Sequence, residues 1–121
     1  MLVVEDDAAL GDVMVTALKD QGIDARLARD GDEAMRFVES NEPSCIVLDL
    51  MMPRRDGFSV LRELRADGRT ARVPVVVVTA IFGLSERMYA TELGAADHVT
   101  KPFELGDLIA RVRALLAPAA A

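Results

Sequence analysis

No tryptophan occurs in the chain, and aromatic residues make up only 4% of its 121 residues, so the core must be built from aliphatic side chains and methionine. The single cysteine, Cys45, excludes an internal disulfide and fits a reducing compartment. Basic residues are outnumbered: 14 Lys and Arg stand against 20 Asp and Glu, a net charge of -6. Phosphate contacts need a basic face, so this domain is not expected to grip nucleic acid directly. No apolar run approaches the ~20 residues of a membrane span, and no signal-peptide pattern opens the chain. A cytoplasmic protein without membrane contact is the expectation. No internal repeat is visible, and the length suits a single domain over residues 1–117, with 118–121 as a short tail or the start of a linker.

What is present is an alternation of short β-like runs and helical patterns, five times over. The strands are expected at residues 2–5, 24–28, 45–49, 75–79 and 98–100. Runs such as CIVL and VVVV are apolar on both faces, which suits a parallel sheet covered by helices on each side. Between them, Leu10, Val13, Met14, Ala17 and Leu18 follow helical spacing, with Gly22 where a C-terminal cap belongs. Ala34, Phe37 and Val38 mark a second helix. Asp56 is placed to cap a third, with Leu61 and Leu64 facing inward. Ser85, Met88 and Leu93 suggest a fourth, closed by Gly94, and Leu105, Leu108, Ile109, Val112, Leu115 and Leu116 form the stripe of a fifth. Met14, Met35 and Met88 stand at core spacing, and Cys45 reads as a small core residue. Such βα units indicate a doubly wound α/β domain with right-handed crossovers.

Ligands of open parallel sheets bind beyond the carboxyl ends of the strands. There this sequence places Glu5 and Asp6, with Asp7 beside them, after the first strand. Asp49 follows the third, Thr79 and the small Ala80 the fourth, and Lys101-Pro102 the fifth. Taken singly, each is an ordinary turn or cap residue. Together they bring acids, a hydroxyl and an ammonium into one crevice. Two carboxylates ~5 Å apart repel by roughly 3 kcal/mol at an effective dielectric near 20. Protonation, Lys101 or a bound cation must offset that cost. All-oxygen ligands favour a hard ion such as Mg²⁺, and a Mg²⁺ beside an open carboxylate, a hydroxyl and a lysine is equipment for phosphoryl transfer.

The stretches VVEDD, CIVLDLMMPRRDG, VVVVTA, GAADHVTKPF and the last amphipathic helix, with their mutual spacing, resemble the receiver domain of two-component response regulators over essentially the whole chain. The resemblance implies a flavodoxin-like five-stranded parallel sheet of order 2-1-3-4-5 with helices on both faces. It implies Asp49 as phosphoacceptor for a sensor histidine kinase or phosphotransfer protein. Glu5, Asp6, Asp49 and the backbone carbonyl of Met51 would hold Mg²⁺, or Mn²⁺ in its place. Thr79 and Lys101 would bind phosphoryl oxygens, helped by the backbone N–H groups of Met51 and Ala80, with a cis peptide before Pro102.

Two departures stand out. The position three before the lysine, where the family usually carries a Tyr or Phe that swings inward with Thr79, is His98, the only histidine. Positions two after Asp49 and two after Thr79, which can steer a hydrolytic water, are the apolar Met51 and Ile81, so slow self-dephosphorylation is expected. Arg87, Glu92, Asp97, Asp107, Arg111 and Arg113 lie where some response regulators pair two activated receivers through the fourth helix, fifth strand and fifth helix; otherwise they are a solvated face. Two rival readings remain distinct. A haloacid dehalogenase-like phosphatase would need an acid where Met51 stands, and a pseudo-receiver would keep the fold as an interaction module without the chemistry.

Overall fold

The computed structural model describes residues 1–52, 56–80 and 83–116. Pro53, Ile81 and the expected tail at 118–121 lie outside these residues. The described chain runs β1 (Leu2–Val4), α1 (Ala8–Asp20), β2 (Arg26–Ala28), α2 (Gly31–Ser40), β3 (Ile46–Asp49), α3 (Gly57–Ala66), β4 (Val75–Thr79), α4 (Leu84–Glu92), β5 (Asp97–Thr100) and α5 (Leu105–Leu116). All strand pairs are parallel and the sheet order is β2-β1-β3-β4-β5, the doubly wound arrangement the βα alternation implies.

The three central strands are buried on both faces because their side chains alternate between two cores. Leu2, Val4, Ile46, Leu48, Val75 and Val77 point to one side, where Ala34 and Val38 of α2, Val60, Leu61 and Leu64 of α3 and Ala90 of α4 cover them. Val3, Val47, Val76 and Val78 point to the other, under Met14 and Leu18 of α1 and Leu108 and Val112 of α5. Cys45 is fully buried in this second core, and burial pushes its thiol up to about 11, as befits an inert core residue.

Local chemistry sets the helix ends. Asp7, Asp30 and Asp56 cap α1, α2 and α3 by accepting from the backbone N–H of Leu10, Glu33 and Ser59 at 3.1, 2.8 and 2.8 Å, each worth about 1 kcal/mol. Gly22 (φ +81°) and Gly94 (φ +98°) close α1 and α4 in the left-handed conformation. Behind each, the chain doubles back through paired bonds, Gly22 N to Lys19 O with Ile23 N to Leu18 O, and Gly94 N to Thr91 O with Ala95 N to Ala90 O.

Two side chains depart from the helical spacing. Val13 is 49% exposed and Met88 59% exposed. Val13 sits on the shoulder of α1 beside Phe103 and Leu105 instead of beneath it. Met88 faces outward because α4 meets the sheet only along the line of Ala90, its single fully buried residue. Met14 is buried as the spacing implies, and Met35 is partly buried against the first core.

Gly57 is the tightest point of the fold's carboxyl edge, because it starts α3 directly behind the tip of β3. A Cβ there would lie 2.4 Å from the Asp49 carbonyl oxygen and 2.6 Å from the Leu50 Cα, backbone atoms that no rotamer change relieves. Gly57→Ala is therefore expected to lower the unfolding free energy by about 2 kcal/mol, the usual scale of overpacking. Gly68→Ala, with open space around it, should shift it by less than about 0.5 kcal/mol. Urea unfolding of the two variants checks the contrast.

Candidate functional site

Parallel register brings the strand tips together. Asp49 pairs with Val78, one residue before Thr79, and Thr79 pairs with Thr100, one residue before Lys101. Glu5 follows β1, whose Val4 pairs with Leu48 of β3, one residue before Asp49. The tips of four strands thus deliver Glu5, Asp49, Thr79 and Lys101 to one edge of the sheet. The peptide between Lys101 and Pro102 is cis.

Glu5, Asp49 and Thr79 are all but sealed, at 1%, 2% and 1% exposure, while Asp6 is exposed at the rim. The Lys101 ammonium lies 3.0 Å from Asp49 Oδ2 and 3.2 Å from Glu5 Oε1. Asp49 Oδ1 accepts from the backbone N–H of Met51 at 2.9 Å, and Glu5 Oε1 accepts weakly from that of Asp7 at 3.3 Å. Among the described residues, two buried side-chain polar atoms have no hydrogen-bond partner: Glu5 Oε2 and Thr79 Oγ1. Carboxylate oxygens of Glu5, Asp6 and Asp49 approach within 4.8 Å of one another.

This crowding shifts protons. Burial first, and then the charge of Asp49, raises the Glu5 carboxyl to about 7, against the relief offered by Lys101. Burial works against the Lys101 cation, but its hydrogen bonds and attraction to Asp49 and Glu5 outweigh that and raise its pKa. One ammonium therefore serves two buried acids, with a third at the rim. A buried carboxylate oxygen left without a donor, in an all-oxygen cluster, suits a hard divalent cation.

The outlying residues separate into groups. Arg87, His98, Asp107 and Arg111 gather round a cavity of about 520 Å³ between α4, β5 and α5. Arg111 bonds Asp97 at 2.7 Å and Asp107 at 3.2 Å. Glu92 is exposed near the end of α4. Arg113 does not join them; its guanidinium reaches Gln21 at the end of α1, 2.7 Å from the side-chain oxygen. Met51 is 64% exposed at the rim and meets Asp49 through its backbone.

The family model described as the response regulator receiver domain matches residues 1–113. The chain belongs to the response regulator receiver family. Response regulator MprA of Mycobacterium sp. (strain KMS) is 44% identical over 116 residues, covering 96% of this chain and 50% of that protein. The DNA-binding dual master transcriptional regulator RpaA of Synechocystis sp. is 40% identical over 116 residues, covering 96% and 48%. The receiver thus spans about half the length of these curated relatives. Among solved structures, the receiver domain of Francisella response regulator 1452 superposes with a TM-score of 0.87 at 35% identity, covering 95% of this chain and 93% of that one. The receiver domain of NtrX from Brucella abortus gives 0.89 at 29% identity, covering 95% and 96%. The chain is thus a receiver domain of the response regulator type found in two-component systems. Among its described residues, no helix is long and apolar enough to cross a membrane.

Sequence patterns did not reveal two features of the receiver's site. An apolar cavity of about 600 Å³ borders Lys101 and Ala80, lined also by Leu10, Val13, Phe103 and Leu105. A smaller one, about 150 Å³, lies beside Thr79 and is lined by Met51, Gly83 and Glu86. Val13, which helical spacing alone would have turned inward, is one of the residues lining the first.

The raised Glu5 carboxyl makes stability depend on pH. The folded receiver holds this proton more tightly than the unfolded chain does, so stability is full below the ordinary carboxyl value of 4.5 and falls as pH rises towards 7. The loss amounts to about 3 kcal/mol at most in the absence of divalent ions. Glu5→Gln should remove it and make the variant the more stable protein at pH 8. Urea unfolding at pH 5 and pH 8 in a chelator measures the difference.

Proposed function

We propose that this receiver is a phosphorylation-controlled switch, with Asp49 accepting a phosphoryl group from the phosphohistidine of a sensor histidine kinase or phosphotransfer protein. The observation that carries this reading is the Lys101 ammonium seated between Asp49 and Glu5 at 3.0 and 3.2 Å, with the partnerless hydroxyl of Thr79 at the tip of the next strand from Asp49. In the transfer an Asp49 carboxylate oxygen forms a bond to phosphorus as the donor's P–N bond breaks. The electron pair returns to the donor imidazole, which takes up a proton. Lys101 then pairs with a phosphoryl oxygen, and the N–H groups of Met51 and Ala80 take up further charge.

Glu5, Asp6, Asp49 and the Met51 carbonyl would hold Mg²⁺, or Mn²⁺ in its place. Glu5 Oε2 supports this assignment, since it is buried and lacks a hydrogen-bond donor. When bound, such an ion neutralises charge on the transferring group. The receiver acts only on itself in this scheme. A phosphatase of the haloacid dehalogenase type needs an acid two residues after the nucleophile, and Met51 cannot serve.

The output is a population shift. Thr79 Oγ1 gains its missing partner on a phosphoryl oxygen, and His98 follows it inward. The surface of α4, β5 and α5, with Arg87, Glu92, Asp97, Asp107 and Arg111, changes and offers a homodimer contact, whereas Arg113, held by Gln21 at the end of α1, stands apart from it. With a net charge of -6, the receiver itself contacts neither nucleic acid nor membrane, and it works in the cytoplasm.

Incubation with Mg²⁺ and acetyl phosphate should add the mass of one phosphoryl group to the wild type and none to Asp49→Asn. A wild type that takes up no phosphoryl group would identify a pseudo-receiver. Met51 presents an apolar side chain at the rim, so the phosphorylated form should persist for minutes or longer with Mg²⁺ present. A lifetime of seconds, tracked by the same mass measurement, contradicts that part.

A further inference from the structure

α4 is held to the rest of the receiver by few contacts. Ala90 is its only fully buried residue, Gly83 begins it without a side-chain cap, and Leu84, Met88 and Tyr89 are exposed. On one flank Tyr89 packs against Phe58 of α3, ring centroids 5.1 Å apart, and accepts from Arg62 Nη1 at 2.9 Å. On the other, Arg87 Nη1 lies 3.2 Å from His98 Nε2 on β5. With so little apolar burial, a single polar bond is a substantial part of what fixes this helix against the sheet.

The chemistry of that bond is one-sided. A guanidinium nitrogen donates and never accepts. Nε2 must therefore present a bare lone pair, which makes the ring neutral with its single proton on Nδ1. The same nitrogen cannot carry a proton and receive Arg87. We infer that His98 is a proton-operated latch: the neutral imidazole fastens α4 to β5 through Arg87, and a second proton on the ring releases it.

The charged surroundings favour release over a compromise. From α4, Arg87 presents a like charge to an imidazolium. Asp97, the neighbour on β5, is already engaged, its Oδ1 accepting from the His98 backbone N–H at 2.8 Å and from Arg111 at 2.7 Å. Glu104 in the loop before α5, and Asp107 and Arg111 of α5, line the same cavity as His98. Glu104 offers a protonated ring a partner on that side, while Asp107, like Asp97, is engaged by Arg111. On β4 the residue paired with His98 is Val77, flanked by Val76 and Val78, none of which carries a charge. Imidazole is the side chain that ordinarily changes charge between pH 5 and 8. The meaning for signalling rests on the proposed function, because α4 and β5 are the elements expected to move when Thr79 engages a phosphoryl group.

The test needs no phosphoryl donor, so it stands whether or not Asp49 is phosphorylated. His98 is the only histidine, and its ring nitrogens give an unambiguous ¹⁵N NMR signal. At pH 7.5 the wild type should show the proton on Nδ1, and Arg87→Gln should shift the ring towards the Nε2–H form. Hydrogen-exchange protection of the α4 amides should fall about fivefold in Arg87→Gln at pH 7.5, the loss of one hydrogen bond. The wild type should show a similar fall between pH 7.5 and 5.5, with His98→Phe low at both. A proton on Nε2 in the wild type at pH 7.5 overturns the latch. So does unchanged protection in Arg87→Gln, or an acid-dependent fall that survives in His98→Phe.

Discussion

The Lys101 ammonium stands between two carboxylates, Glu5 and Asp49, that are otherwise almost sealed from water. A third carboxylate, Asp6, approaches from the rim within 4.8 Å. Buried acids repel one another and resist ionisation, and a single cation cannot satisfy all of them. The strain of that arrangement shows in two ways: the Glu5 carboxyl is raised to about 7, and its Oε2 finds no donor. Clustered acid of this kind is costly unless a ligand relieves it. That imbalance is what the proposed cation and phosphoryl group would relieve.

Parallel pairing is the constraint that creates the cluster. Adjacent strands end within a residue of each other in register, so acids, hydroxyl and ammonium one step past the strand ends necessarily meet. This is why the site was legible in the sequence. Apolar runs named the strands, and the residue after each run named the crevice. Helix caps were legible for the same reason, since Asp56, Gly22 and Gly94 each have a local chemical task.

Features that depend on how helices rotate against the sheet were not legible. Met88 and Val13 obey helical spacing yet face solvent, because α4 and α1 meet the sheet along narrower lines than the spacing suggests. Arg65 is a second case. Its guanidinium donates to the carbonyls of Thr70, Ala71, Val73 and Gly94, at 2.8 to 3.3 Å, tying the end of α3 to the turn after α4. Backbone carbonyls leave no trace in a sequence, so nothing announced this clamp. Arg113 likewise spends its charge on Gln21 and not on the acids of the opposite face. The same narrow seat of α4 leaves that helix dependent on a few polar ties, one of them to His98.

The direct measurement of the central electrostatic claim is thermal unfolding against Mg²⁺ concentration at pH 8. A cation that relieves the repulsion among Glu5, Asp6 and Asp49 must bind the folded chain in preference to the unfolded one, raising Tm along a saturable curve. Asp6→Asn, which removes the exposed ligand while leaving the buried pair intact, should weaken that response at least tenfold in Mg²⁺ concentration. A wild-type Tm indifferent to Mg²⁺ would contradict the account, as would a response unchanged in Asp6→Asn.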